Sequence, residues 1–183
     1  MNGRSLRALI NQREVGHLRE VAGLWSFQYA ASWLNHPQAF ALSPHLPLTA
    51  EPLLDGASQR PVQWYFDNLL PEEGQRTLLA GDARLDAADA FGLLAWYGAE
   101  SAGSLTLLPP EAAPQATEPL RPLPDEPLQA RILQMPKAPL THAAIKRMSL
   151  AGAQHKLAVV LQEGALFEPA GATPSTHILK PDH

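Results

Sequence analysis

The sequence has 183 residues, of which 45% are hydrophobic and 17% are charged, and its net charge is −4. This length suits one sizeable domain or two small ones, and the acidic balance excludes generic electrostatic binding to nucleic acid or anionic membranes. The absence of cysteine excludes disulfides, thiolate metal sites and thiol catalysis. Charged residues interrupt any signal-peptide core in residues 1–30, and no apolar run approaches the roughly 20 residues of a membrane span. A cytoplasmic protein is expected.

The N-terminal residues predict three strands. Leu6–Ile10 and Glu14–Glu20 are expected to form a hairpin with a tight turn at Asn11-Gln12. The alternation of residues 24–29 places three aromatic side chains on one face of a third strand: Trp25, Phe27 and Tyr29. Packing in a core is favoured over lining a ligand cleft, because large aromatic residues dominate core burial.

A loop rich in proline is predicted for residues 35–61, and helices follow it. Pro61 suits the first turn of a helix whose apolar face is assigned to Trp64, Tyr65 and Leu69, with Phe66 as a further candidate. This helix is expected to be the first of three.

The second helix is predicted from Pro71 to about Ala80, with Gly81 as its stop. The third is predicted to begin at Asp86 as N-cap and to run through Tyr97. The pair could suggest a DNA-reading helix-turn-helix, but the third helix has no Lys or Arg, and a helix that reads a groove normally carries cationic or amide side chains.

A proline-rich stretch divides the chain. Nine of the 18 prolines fall between residues 109 and 139. Residues 109–127 are predicted to be an extended linker, partly in the polyproline II conformation. A strand over residues 104–108 is expected before it and a short helix over 128–135 after it. The predicted domains are therefore 1–108 and 128–183, joined by this linker.

A loop of small residues precedes the most informative strand. Residues 149–156 read SLAGAQHK and continue into an apolar run, 157–161, which predicts a buried strand. A hairpin to residues 166–168 and a further strand at 177–180 are expected to follow. Gly152 and its alanine neighbours leave room for backbone N–H groups to turn toward an anion.

Two lysines accompany this loop. Lys156 ends it, and Lys180 ends the strand at 177–180. Kinases hold ATP phosphates between a flexible loop and a strand lysine, so Lys180 could contact phosphate. It could equally be a lysine snorkelling at a strand end. The Walker P-loop pattern and Gly-x-Gly-x-x-Gly are both absent.

Other chemistries find little support in the sequence. The seven histidines are scattered, without the i, i+4 spacing of helical metal ligands. Ser149 has no histidine base beside it, and the Gly-x-Ser-x-Gly pattern of serine hydrolases is missing. Neither a metal site nor a hydrolase is therefore predicted.

Four ordered motifs together resemble the HipA-type serine/threonine kinases, the toxins of bacterial toxin–antitoxin pairs. The loop at 149–156 is similar to the family's Ser-x-Ala-Gly-Ala-Gln-x-Lys segment, and PSTHILK at 174–180 is similar to its Pro-Thr-Thr-His-Ile-Ile-Lys segment. FDNLLPE at 66–72, and LLAWYG at 93–98 continuing to residue 105, resemble signatures of its N-terminal region. The match covers nearly the whole chain.

The resemblance implies an α+β fold, with a β-rich N-terminal module that contains a short helical segment and is followed by the first strands of a kinase-like nucleotide-binding lobe. It implies ATP and Mg²⁺ as cofactors and Ser149 as a serine whose autophosphorylation ejects the loop. The residues implied to line the ATP phosphates are Ala151, Gly152, Ala153, Gln154, His155, Lys156 and Lys180. The implied partners are a HipB-like DNA-binding antitoxin, with DNA contacted only through it, and a protein substrate such as an aminoacyl-tRNA synthetase.

The sequence departs from the family pattern in places. His155 stands where the family often has glutamate, and residues 99–101 are Ala-Glu-Ser where an Asp-Cys type of sequence is common. The family's Asp-Gly-His-x-x-Asn catalytic loop and its metal-binding aspartate have no counterpart here. The expectation is an N-terminal part of a kinase that does not catalyse alone. The alternative is a non-catalytic interaction subunit that binds an antitoxin or a separate kinase.

Overall fold

Two antiparallel sheets and five helices organise the described part of this protein. The computed structural model describes residues 3–100, 104–114, 116, 118–134, 156–170 and 173–181, without the side chains of residues 100 and 134. The first sheet has the strands β1 (Arg4–Ile10), β2 (Arg13–Val21), β3 (Leu24–Tyr29), β4 (Leu53–Leu54) and β5 (Leu105–Leu108), in the order β4-β3-β2-β1-β5. The second has β6 (Arg121–Pro122), β7 (Leu157–Gln162), β8 (Ala165–Glu168) and β9 (His177–Leu179), in the order β6-β8-β7-β9. The helices are α1 (Ala31–Leu34), α2 (Pro61–Asp67), α3 (Glu73–Ala83), α4 (Ala90–Tyr97) and α5 (Asp125–Gln134). The predicted α+β class is confirmed.

The N-terminal hairpin forms as predicted. Asn11 and Gln12 both have positive φ, 49° and 63°, as a two-residue type I′ turn requires. Ala22 and Gly23 repeat this geometry between β2 and β3. Gly16 is needed where β2 pairs with the end of β3, because a Cβ there would lie 2.3 Å from a backbone oxygen of β3.

The aromatic face of β3 lies in the core, which confirms the packing interpretation. Trp25, Phe27 and Tyr29 are 4%, 0% and 3% exposed. Phe27 packs edge-on against Tyr29 and meets Phe66 of α2 at 5.4 Å between ring centroids. Helices α2, α3 and α4 cover this face of the sheet and complete one hydrophobic cluster.

Three helix details differ from prediction. The inward face of α2 consists of Val62 and Phe66, and Trp64 is 55% exposed, so its assignment to the apolar face was wrong. Gly81 does not end α3, which continues to Ala83 because that residue is buried. The N-cap of α4 is Asp89, not Asp86, because the Asp89 carboxylate accepts the Gly92 N–H at 3.0 Å.

The second sheet has its own hydrophobic cluster. Leu123, Leu157 and Val159 form its centre, and α5 packs against it. The predicted hairpin is present, since Glu163 and Gly164 have φ of 51° and 80° between β7 and β8. The last residues of the predicted linker form β6 and the start of α5, and the domain boundaries stay a prediction.

Candidate phosphate-binding site

The two lysines of the predicted site lie at one end of the β7–β9 ladder. These strands pair antiparallel, with Leu157 opposite Leu179. Residue numbers of opposed residues in such a ladder have a constant sum, so the same register continued by one step sets Lys156 opposite Lys180. Opposed Cβ atoms in antiparallel pairs are typically about 4.5–5.5 Å apart. Continued in this way, the ladder would bring two cations that are distant in the sequence to neighbouring positions.

The lysines share a face of the sheet with apolar side chains. Lys156 precedes β7 and lies two residues from Ala158, and Lys180 follows β9 and lies two residues from Ile178. Residues two apart in a strand lie on the same face of the sheet. Lys180 is exposed, and Ile178 is 52% exposed. The opposite face carries Leu157, Val159 and Leu179, which pack into the second hydrophobic cluster. The face of Leu157 and Val159 contributes to this cluster, and the other carries the two lysines beside the exposed side chain of Ile178.

Opposed lysines suit an anion with several oxygens. Like charges directly across a ladder repel each other, and a polyanion bound between them relieves that repulsion. Lysine binds phosphate as a flexible point charge. The arrangement can therefore hold phosphate groups.

The remaining predicted site residues lie outside the described residues. They are Ser149, Ala151, Gly152, Ala153, Gln154 and His155. Their assignments, and those of Lys156 and Lys180, stay predictions.

Side-chain hydrogen bonds hold β9 in place. The Thr176 N–H donates to Val159 O at 3.0 Å, and Thr176 Oγ1 accepts the Leu161 N–H at 2.9 Å. Thr176 Oγ1 also lies 2.8 Å from His177 Nδ1. In the preceding loop, the Thr173 hydroxyl donates to Glu118 O at 2.8 Å.

An ion pair joins α5 to the sheet. Arg131 of α5 contacts the carboxylate of Glu168 on β8, and the two side chains are only 16% and 17% exposed. Burial lowers the pKa of Arg131, and the nearby charge of Arg121 adds to this shift. The pair lies on the sheet supporting both lysines.

A concave feature that the sequence did not reveal lies on the N-terminal module. We call it the aromatic cleft. It has a volume of about 570 Å³, and its lining residues are Ser43, His45, Gln59, Pro61, Trp64, Tyr65 and Asn68. None of them is an acid, Lys or Arg, and burial raises the pKa of Tyr65, so its phenol stays neutral. The cleft suits uncharged groups that offer apolar surface and hydrogen bonds.

The wall formed by α2 is fixed by a buried carboxylate. Asp55 is 7% exposed, and its two oxygens accept the N–H groups of Val62 and Gln63 at 2.9 and 3.0 Å. These donors belong to the first turn of α2, where a negative charge also meets the positive end of the helix dipole. Because Asp55 precedes the helix by several residues, its capping role could not be recognised from local spacing.

The facing wall is held by Tyr29. Its hydroxyl donates to Leu46 O at 2.6 Å and accepts the Leu42 N–H at 2.9 Å. Leu46 is fully buried, which anchors the loop that carries Ser43 and His45. Both walls are therefore preorganised.

The two N-terminal motifs serve the fold. Asp67 pairs with Arg76 at 2.7 Å, which joins α2 to α3. The Tyr97 hydroxyl donates to Leu79 O at 2.9 Å, and Gly98 packs so closely on β5 that a Cβ would lie 2.6 Å from a side-chain carbon of Leu107. Packing and hydrogen bonding therefore explain why these residues stand at these positions of the two motifs.

The described residues contain neither a metal-ligand cluster nor a membrane-spanning helix. Within them, no group of three or more histidines and carboxylates has the arrangement of a metal site. None of the helices described is both long and apolar enough to cross a bilayer.

Comparison with known proteins identifies the family. Residues 6–108 match the HipA N-terminal domain. This chain belongs to the HipA family. It is 40% identical over 161 residues to the protein Y4mE of Sinorhizobium fredii, named as a kinase, an alignment that covers 85% of this chain and 37% of Y4mE. It is 29% identical over 160 residues to the serine/threonine-protein kinase toxin HipA of Shewanella oneidensis, covering 87% of this chain and 35% of that toxin.

The fold is similar as well. A chain in the complex of HipA, HipB and operator DNA from S. oneidensis matches with a TM-score of 0.66 and 25% identity, over 94% of this chain and 39% of that chain. The resemblance deduced from the four motifs is thereby confirmed. This HipA-family chain spans between 35% and 39% of the length of the relatives that it matches.

Proposed function

We propose that this chain is the N-terminal part of a HipA-like serine/threonine protein kinase toxin that supplies the phosphate-binding loop and lysine of an ATP site. The observation that supports the proposal is the β7–β9 register, which pairs Leu157 with Leu179 and, continued by one residue, would set Lys156 opposite Lys180. Residues 1–108 form its regulatory and partner-contacting module, 109–127 its linker, and 128–183 the start of its nucleotide-binding lobe. The parent protein acts in the cytoplasm.

In this proposal, the loop 151–156 and Lys180 hold the ATP phosphates, and Ala158 and Ile178 offer apolar surface beside them. Phosphoryl transfer also needs Mg²⁺ held by carboxylates and a positioned hydroxyl. We place those groups outside this chain, so the 183 residues bind nucleotide without transferring phosphate. Ser149 is the autophosphorylation site, where a phosphate adds about −1.5 to −2 charges and repels ATP.

Nucleotide binding is tested with the 183-residue chain. Titration with Mg-ATP, followed by the NMR signals of residues 156–180, is expected to shift the signals around both lysines. Lys180→Met and Lys156→Met should each weaken binding roughly tenfold or more, since a hydrogen bond to a charged group contributes about 1.5–3 kcal/mol. Arg121→Ala is the matched control, because it removes an exposed cation at the opposite edge of the same sheet.

Two results would contradict the ATP site: equal affinity in both lysine variants and the unaltered chain, or shifts confined to residues outside the second sheet. Catalysis is a separate test. Phosphorylation of a serine peptide by the chain extended through the lobe that its relatives possess, and none by the 183 residues, is expected. Robust Mg-ATP-dependent transfer by residues 1–183 would show that the transfer machinery is complete without that lobe.

We further propose a HipB-like DNA-binding antitoxin as the partner of the N-terminal module, with DNA contacted only through it. A HipA and HipB complex is named for the structural relative. The aromatic cleft is the candidate contact, because Trp64 is exposed beside preorganised walls. The protein substrate of the parent kinase is an aminoacyl-tRNA synthetase.

The antitoxin contact is tested by pull-down with a HipB-like antitoxin. Trp64→Ala should weaken binding, whereas Trp96→Ala, which truncates another exposed tryptophan (48%), should not. Equal binding by the two variants would move the contact away from the aromatic cleft.

The alternative function is a non-catalytic interaction subunit that uses no ATP. The aromatic cleft is the observation that favours it, since it is independent of both lysines. Under this alternative, Mg-ATP causes no shifts at residues 156–180, while binding to an antitoxin or a separate kinase still depends on Trp64.

A further inference from the structure

The strand that carries Lys180 is too short to set its own register securely. β9 makes only three residue pairs with β7. A slip of one residue moves every side chain of a strand to the other face of the sheet. Such a slip would turn Lys180 toward the buried face and away from Lys156. Burial of Leu179 favours the observed register, and a further contact adds to this preference.

Thr176 makes a side-chain contact with β7 in the observed register. Its N–H donates to Val159 O, and its side-chain oxygen takes the place of a carbonyl by accepting the Leu161 N–H at 2.9 Å. A strand shifted by one residue would place Ser175 or His177 at this position. The hydroxyl can also donate to His177 Nδ1, 2.8 Å away, while it accepts from Leu161.

Prolines limit the alternatives on both sides. Pro174 and Pro181 flank β9 and have no N–H, so the pairing cannot extend through them. Pro181 also restricts the backbone of Lys180 to extended conformations. Thr173 ties the incoming loop to Glu118 O. The strand is thus confined at its ends, and the Thr176 hydroxyl selects among the remaining registers.

We propose that Thr176 is a positioning residue that fixes the register of β9 and so holds Lys180 opposite Lys156. Only the expected effect on nucleotide binding rests on the proposed function. Its geometric content concerns the protein without any ligand and can be tested alone. A neutral hydrogen bond changes an equilibrium by about two- to tenfold, which sets the size of the expected effects.

The geometric test uses an amine-reactive cross-linker with a short spacer, followed by mass spectrometry. The chain has four lysines, at 137, 146, 156 and 180, so the Lys156–Lys180 product is easily assigned. Thr176→Val should reduce its yield and raise the hydrogen-exchange rate of the Leu161 amide about two- to tenfold. Thr176→Ser keeps the hydroxyl and should restore both, and Ser175→Ala is the control for loss of a neighbouring hydroxyl.

Nucleotide binding is the second measurement. Mg-ATP affinity should fall about two- to tenfold in Thr176→Val and recover in Thr176→Ser. If the unaltered chain binds no Mg-ATP, the proposed function fails, while cross-linking and exchange still decide the role of Thr176. Unaltered cross-linking and Leu161 exchange in Thr176→Val would overturn the inference. Should that variant lose the β7–β8 hairpin, Thr176→Ser decides: normal cross-linking supports the inference, and its loss overturns it.

Discussion

Replacing Asp55 by alanine should destabilise the N-terminal module strongly. The substitution leaves the N–H groups of Val62 and Gln63 without their acceptor at a buried position, 7% exposed. Hydrogen bonds to a charged group contribute about 1.5–3 kcal/mol each, and loss of a helix cap costs about 0.5–2 kcal/mol. Because the two bonds share one carboxylate, we expect a total loss of about 2–4 kcal/mol.

The tryptophans provide a selective assay for this loss. All four lie in the N-terminal module, at positions 25, 33, 64 and 96, so their fluorescence during urea unfolding reports on that module. For a chain of this size, each kcal/mol lowers the melting temperature by about 2–4 °C, and Asp55→Ala should therefore melt about 5–15 °C lower. Asp55→Asn keeps one acceptor oxygen and should lose about half as much stability.

Asp86→Ala is the matched comparison. Asp86 is exposed and accepts one backbone N–H, from Ala88 at 2.8 Å, so its loss should cost at most about 1 kcal/mol. An unfolding midpoint of Asp55→Ala equal to that of Asp86→Ala would refute the argument that burial of the paired carboxylate sets the cost. The same variant should weaken partner binding at the aromatic cleft, because α2 forms one of its walls.

Three further residues, Gly98, Tyr97 and Arg131, are tested by substitution. Gly98→Ala places a carbon 2.6 Å from β5 and should lower the free energy of unfolding by about 1–3 kcal/mol. In Gly81→Ala, the new carbon in α3 meets nothing within 4 Å and should raise the free energy of unfolding by about 0.4–1 kcal/mol. Urea unfolding measures both changes. Burial raises the pKa of Tyr97, so the stability that the neutral phenol gives the fold is complete below about pH 10 and is lost as the pH rises further. Tyr97→Phe should flatten this alkaline loss of stability in melting curves. An unchanged pH profile would contradict the assignment. Arg131→Met leaves the largely buried Glu168 without its cation and should lower the stability of the second sheet by about 1–3 kcal/mol. Hydrogen exchange of the β8 amides measures this loss. Arg121→Met, which removes an exposed cation, is the control.

Local sequence patterns predicted the presence of helices and strands more accurately than the residues at which they begin and end. The alternation of residues 24–29 predicted β3 with its exact bounds, because period two is a property of the strand itself. The cap of α4 could not be assigned in the same way, since Asp86 and Asp89 are both reasonable N-caps. Arg4 of β1 pairs with Asp89 at 2.7 Å, a contact between residues far apart in the chain.

The same limit explains the error at Trp64. A tryptophan in a helix is usually assigned to its apolar face, but α2 is only seven residues long and turns Val62 and Phe66 inward. Which face of a short helix is buried depends on where the sheet lies. The exposed Trp64 then becomes part of a cleft whose other wall comes from a separate loop.

By itself, the sequence determined the family and the α+β class, because ordered motifs and periodicity are properties of the linear chain. Only the tertiary structure decided what lies opposite what. The β7–β9 register pairs Leu157 with Leu179, the Thr176 hydroxyl accepts an N–H of the neighbouring strand, and Asp55 reaches the start of α2 from outside the helix. These relations join residues that local spacing leaves unconnected, and strand pairing and burial determine them.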